Sequence, residues 1–333
     1  MSAASIDAFW KWWQKSGAAF ARGFDDGSGP KPALTAAMSK HVAAIHESLD
    51  WEFGKGVRSR HHLCLSGKGD PVLRVITERW VKRGPGADAT WEFYPARQPS
   101  PGAGHRLEIA GHTVDLDAFT FSVTEDESRE TLDIVAHHPV FKRIRDAKLR
   151  TQVLYLTLDD LLGEDGAERW LGAVDESRTP FASPVRYSEL RARVEDLGKR
   201  ATGERWAILK GTPDGKPVFI TTNLALKRID HLLFDMHLTV AIRLLTVDPN
   251  GLMSKEEGDA LTALEDRLVP ALGPHGVLVG HETGRGLRTI HLRVMEGGPA
   301  RGIVDGVVSS LCAGRATVTP QLDPRWDAVR AWR

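Results

Sequence analysis

The densest grouping of side chains able to move a proton lies at Asp230, His231, Asp235 and His237. An imidazole beside a carboxylate is the usual general base: the carboxylate orients the ring, and the ring takes the proton. On that reading the chain is a hydrolase working through these four residues. The same stretch also reads as a turn entering a strand, with the aspartates bonded to their own backbone and Leu232, Leu233 and Phe234 plugging a core. No nucleophile or third group lies nearby in sequence, so the turn is the preferred reading.

Other groups with chemical potential resolve in the same direction. There are thirteen histidines, yet no pair has the His-Glu-x-x-His spacing and there is no Cys-x-x-Cys, so neither a metal site nor a cofactor is expected. His61-His62 and His137-His138 fall at strand ends, where adjacent side chains point to opposite faces and cannot chelate together. Gly67-Lys-Gly-Asp-Pro71 has the look of a phosphate loop, but Asp70 would put negative charge where phosphate should sit; a turn followed by a helix cap fits better. Gly284-Arg-Gly286 joins two strands and reads as a hairpin.

Several elements must position these residues. His237–Leu245 alternates, with Leu238, Val240, Ile242 and Leu244 on one face. Asp248-Pro-Asn-Gly251 is a turn, and Ser254 with Glu257 forms a capping box that opens a helix striped by Leu261, Leu264, Leu268 and Leu272. Pro270 is expected to stop or kink that helix. Val277–Thr283 and Leu287–Met295 are strands, Gly298-Pro299 opens a helix carrying Ile303, Val307 and Leu311, and Ala316–Leu322 is a last strand. Strand, helix, strand, strand, helix, strand is the split βαβ order of a ferredoxin-like sandwich. Trp206–Lys210 and Val218–Thr222, around Pro213-Asp-Gly-Lys216, add a hairpin before it.

The first half reads as a separate α+β unit. A helix over 32–49 is followed by short strands at 51–53 and 62–65 and a helix capped by Asp70, then strands at 91–94, 107–110, 119–123 and 132–136. An apolar helix spans 152–162 and a strand 170–174. Pro180 and Pro184 mark 176–185 as a linker, with a charged helix over 187–199 leading into the second domain. The expected organisation is therefore an aromatic N-terminal helix and linker (1–31), an α+β domain (32–176) and a ferredoxin-like domain (187–333).

Trp206-Ala-Ile-Leu-Lys210, Asp214-Gly-Lys-Pro217, Asn250-Gly-Leu252 and Leu264-Glu-Asp-Arg-Leu268 carry a resemblance to the bacterial domain-of-unknown-function family six hundred and ninety-five, over the C-terminal part. Trp51-Glu-Phe-Gly54 and Trp91-Glu-Phe-Tyr94 resemble the region that precedes this domain in some uncharacterised bacterial proteins. In that family the domain can be joined to one resembling the ribonuclease E inhibitor called regulator B. The resemblance implies a regulatory or partner-binding role, and it transfers no catalytic residue.

Bulk properties exclude some classes of function. Forty-four basic residues balance 44 acidic ones over 333 residues, so no global field steers the chain to nucleic acid or anionic lipid. No apolar run reaches the length of a membrane span, and residues 1–24 lack the apolar core of a signal peptide. Cys64 and Cys312 sit in separate apolar stretches and read as buried thiols of a cytoplasmic protein. On the sheet face turned away from the helices, His237, Thr239, Arg243, Thr289, His291 and Arg293 offer no aromatic for base stacking. That face is expected to meet an acidic partner or an anionic small molecule, or to be covered by solvent or the other domain. Ile6, Phe9, Trp10, Trp13 and Phe20 share one side of the first helix, which is expected to pack on the protein body or on a second copy as a homodimer. The leading expectation is a non-catalytic partner-binding or regulatory protein, an immunity protein covering a toxin's active site being one version.

Overall fold

The computed structural model describes residues 3–100, 105–312 and 314–332. Helix makes up 43% of the chain and strand 28%, in several separate and mostly antiparallel sheets, so the protein is α+β. The chain forms two compact units, Met1–Asp126 with Thr131–Arg200, and Glu127–Glu130 with Ala201–Arg333.

The first unit opens with α1 (Ala3–Asp25) and α2 (Pro32–Ile45), then β1 (Asp50–Lys55), β2 (His61–Ser66), α3 (Pro71–Lys82) and β3 (Trp91–Tyr94). Strand β2 pairs antiparallel with β1 and parallel with β3, the latter through the α3 crossover. Asp70 caps α3 by accepting from the N–H groups of Val72 and Leu73. The aromatic side of α1 is buried within its own chain. Trp10 stacks on Trp80 at 4.8 Å between ring centroids, and its Nε1 donates to the Trp80 carbonyl at 2.8 Å. Trp13 packs edge-on against Trp91, whereas Trp12, off the stripe, is half-buried against His41. A homodimer through α1 would thus need another of its faces.

A second cluster in this unit is built by β4 (Arg106–Ile109), β5 (His112–Asp115), β6 (Thr120–Asp126), β7 (Thr131–His137), α4 (Ala147–Leu162), α5 (Glu164–Trp170), β8 (Leu171–Ser177), β9 (Val185–Arg186) and α6 (Tyr187–Arg200). Strands β4 and β5 form a hairpin, and the remaining four order as β8-β7-β6-β9. The segment expected to be a linker contributes β9, where Val185 pairs with Phe121. Helix α6, assigned from sequence to the second domain, sends Tyr187, Leu190, Val194 and Leu197 into this core. The break between units follows Arg200.

The second unit holds β10 (Trp206–Gly211), β11 (Val218–Asn223), β12 (Met236–Arg243), α7 (Lys255–Leu272), β13 (Gly276–Gly284), β14 (Leu287–Val294), α8 (Ala300–Cys312) and β15 (Ala316–Leu322). Its sheet orders as β10-β11-β13-β14-β12-β15, with every neighbouring pair antiparallel. Leu238, Val240 and Ile242 on β12 join Ile290, Leu292 and Val294 on β14 beneath the Leu261, Leu264 and Leu268 stripe of α7 and Val304 of α8. Pro270 lies in the last turn of α7, which ends two residues later at Leu272, about where a proline was expected to stop it. One local expectation changes. The capping box is half-formed: Ser254 Oγ accepts from Glu257 N at 3.3 Å, but the Glu257 carboxylate turns to Leu245 N and Arg315. The side chains of Leu311 and Cys312 lie outside the described residues; Cys64 is a buried free thiol, its pKa pushed up first by burial and then by Glu52 and Glu164.

Candidate functional site

The sheet of the second unit is wider than the two helices that cover it. Strands β10 and β11 extend past α7, so their helix-side residues face a gap rather than a core. Trp206 and Ile208 stand there 49% and 73% exposed. Between Trp206 and the outer side of α7 lies a cavity of about 680 Å³, walled by Trp206, Val269, Pro270 and Leu278. Such a volume suits a small ligand or a few side chains of a partner.

The polar floor of this groove comes from three elements. Strand β13 has a bulge between Leu278 and Gly280, and beyond it His281 stands opposite Ile290 and Thr221, on the helix side of the sheet. The His281 Nδ1 lies 2.9 Å from Glu265 Oε2 of α7. The other oxygen of Glu265 accepts from Arg288 Nε at 3.1 Å and Nη2 at 2.9 Å, and Arg288 Nη1 donates to Thr283. Burial would raise the Glu265 pKa, but the bonds and charges of His281 and Arg288 outweigh it and hold the carboxylate below its usual range. A nearly dry ion pair like this is kept only when its remaining hydrogen bonds are satisfied, as they are here. His281 and Glu265 both line the cavity, so the network ends at a ligand-accessible surface.

Sequence reasoning missed this network, although part of the signal was present. Arg288 holds the same alternation phase as Ile290, Leu292 and Val294, and Glu265 sits inside the leucine stripe of α7. A charge in the buried phase of a strand and another on the buried side of a helix require each other. The bulge that turns His281 to the same side has no comparable signature.

The expected catalytic cluster is divided. Asp230 and His231 line the groove, and His231 stacks on Phe234 at 5.4 Å. Asp235 accepts from Glu296 N at 3.2 Å and, through its carbonyl, from Asp323 N at 2.7 Å. His237 lies on the far face of the sheet, its Nε2 3.0 Å from His291 Nδ1. The physical cause is strand geometry: Asp235 and His237 belong to the entry of β12, and His237 takes the face opposite α7.

That far face is covered over part of its area. Trp332 meets His291 edge-on at 4.4 Å, and Trp326 lies over the Arg293 guanidinium at 4.9 Å. Arg293, fully buried, donates to the Asp323 carboxylate at 2.8 Å and to its carbonyl at 3.0 Å. Asp323 also accepts from Asp327 N and Ala328 N, which anchors the 3-10 segment Asp327–Trp332 across the sheet. The outward, aromatic-free surface expected from the sequence is therefore closed at His237, His291 and Arg293. Thr239 and Thr289 are half-buried, and Arg243 is exposed.

Among the described residues no group of three or more His, Cys, Asp or Glu side chains is placed to hold a metal ion, and no helix is long and apolar enough to cross a membrane. His61 and His62 bond separately, to Asp25 and to the Lys55 carbonyl. His137 and His138 likewise go to the carbonyls of Ser177 and Asp115.

Fold and site together describe an α+β protein whose C-terminal sheet carries a ligand-sized groove. Residues 204–330 match a family of unknown function, DUF695, and no family covers the preceding region. No curated protein matches the chain.

Proposed function

We propose that this is a non-catalytic partner-binding or regulatory protein, in which the C-terminal unit is a ferredoxin-like sandwich widened by the β10–β11 hairpin. The strand order and the antiparallel pairing support that assignment. The observation that carries the binding role is the exposure of Trp206 at the wall of a cavity of about 680 Å³. Exposed aromatic surface next to a concavity is where binding energy concentrates. An immunity protein that covers a toxin's active site is one form this role can take, in a cytoplasmic setting. The test is affinity capture with the full chain and with Val269→Asp, which places charge on the groove wall. A stoichiometric partner retained by the parent and lost from the variant supports the reading. Equal retention by both removes the groove from it.

A hydrolase is the second reading, and one observation favours it: the His281–Glu265 pair at the groove floor has the geometry of a general base with its orienting carboxylate. Asp230 and His231 border the same cavity. Water would be the nucleophile, the proton passing to His281. Turnover of generic ester or phosphoester substrates that disappears in His281→Gln would support it. Turnover unchanged by that substitution would end it.

A further inference from the structure

We propose that the groove takes an organic cation, an alkylammonium or guanidinium carried on a short hydrocarbon stem; this rests on the binding reading above. Three features of the lining lead there. The first is charge. Glu204, Asp230, Glu265 and Asp266 bring four carboxylates to the cavity, against the single ammonium of Lys227. Arg288 and His281 already balance Glu265. The Lys227 ammonium donates to the Arg129 carbonyl. Among the described residues, the carboxylates of Glu204 and Asp266 form no ion pair. An anionic ligand would have to approach these acids, and like charges repel.

The second feature is the aromatic wall. A half-exposed indole attracts a cation to its face, and more strongly once the cation has lost part of its water. Among the described residues, Trp206 is the one tryptophan that borders this cavity. The third feature is the apolar strip of Val269, Pro270 and Leu278 running beside the indole. Bare ammonium would gain nothing from that strip, whereas an aliphatic stem would bury against it. Acid at one place and hydrocarbon at another thus match the two ends of a lysine-like or arginine-like group.

The source of the cation can be a free amine or a basic side chain of a polypeptide, and calorimetric titration of the full chain separates them. One arm uses n-butylammonium and agmatine, the other N-acetyl-lysine amide and N-acetyl-arginine amide, with butyrate and inorganic phosphate as anionic controls. The expected result is saturable 1:1 binding of a cation, weakened by salt and weakened roughly tenfold by Trp206→Leu and by Asp266→Asn. Both side chains are solvent-exposed, so these variants keep the fold. Tighter binding of the capped residues assigns a polypeptide source, and tighter binding of the free amines a small molecule; either supports the cation. Binding of butyrate or phosphate in preference, no saturable cation binding, or affinity unchanged in both variants overturns it. In those cases a partner still lost on Val269→Asp leaves the groove reading standing and only its ligand class rejected.

Discussion

Acidification should release the C-terminal segment Asp323–Trp332 from the sheet before the rest of the second unit responds. His237 and His291 lie beneath that segment, stacked at 5.1 Å and sharing one hydrogen bond. Burial is the main reason the His237 pKa falls to about 4, helped by the charge on Arg293 and opposed by Asp323. Burial also leads for His291, at about 3, followed by His237, Arg293 and His281. Glu282 stands 4.0 Å from His291 Nε2, which has no hydrogen-bond partner among the described residues, and Trp332 closes the edge of that ring. Both folded values lie below the unfolded value near 6.5. The unfolded state therefore binds more protons as pH falls, and the stability present above about pH 6.5 is lost on the way down. Between about pH 7.5 and pH 5 the linkage relation gives about 2 kcal/mol per ring, or about 4 kcal/mol for the pair. Protonating both rings also turns their shared bond into two opposed donors. Hydrogen exchange on the full chain, corrected for intrinsic rate, should show protection over residues 323–332 falling by roughly 100- to 1000-fold across that interval. The double variant His237→Asn with His291→Gln should flatten the dependence. Unchanged protection in the parent, or an equal loss in the variant, refutes the reasoning.

The readout must be local, because Asp159 in the first unit carries the opposite sign. Burial raises its pKa to about 7, with Glu164 and Glu52 adding to the rise and Arg97 opposing it. The stability its protonated form contributes is present below about pH 4 and lost as pH rises toward 7, so Asp159→Asn should gain on the order of 2–4 kcal/mol near pH 8 in urea denaturation; no gain there would show the carboxyl to be solvated. Asp323→Ala leaves the buried Arg293 guanidinium without its carboxylate and removes the anchor of the 3-10 segment, and should cost about 3–5 kcal/mol by the same method. A loss below about 1 kcal/mol would mean that Arg293 finds water. Gly280 approaches β11 so closely that a Cβ there would collide with the Thr221 carbonyl oxygen. Gly280→Ala should therefore part β11 from β13, lower the melting temperature by several degrees, about 2 kcal/mol for a domain this size, and abolish groove binding.

What the sequence disclosed and what it withheld divide along a physical line. Period-two alternation located β12 to within a residue or two, since Leu238, Val240 and Ile242 each bury against α7 and α8. Ser254 located the start of α7 because a cap is a local hydrogen bond. Helix α6 was legible as an amphipathic helix, but a stripe of Tyr187, Leu190, Val194 and Leu197 says only that something covers it, so its allegiance to the first unit was hidden. The segment Asp327–Trp332 has too few residues to show any period, and it is what closes the face on which His237, His291 and Arg293 were expected to be open. The groove escaped for a related reason. It forms where β10 and β11 outrun α7, so its walls are core-type residues left without a partner, and alternation gives Trp206 and Ile208 the same signature as Leu238 and Val240. Only the width of the sheet relative to its helices decides which of the two becomes core and which becomes binding surface. That width is set by pairing between distant segments, and no local pattern encodes it. The buried charges Arg288 and Glu265 are the exception, because a charge in an apolar phase announces that some partner must exist. Followed from sequence, that pair leads to the floor of the groove, which makes misplaced charge a better guide to this site than the crowded aspartates and histidines at 230–237.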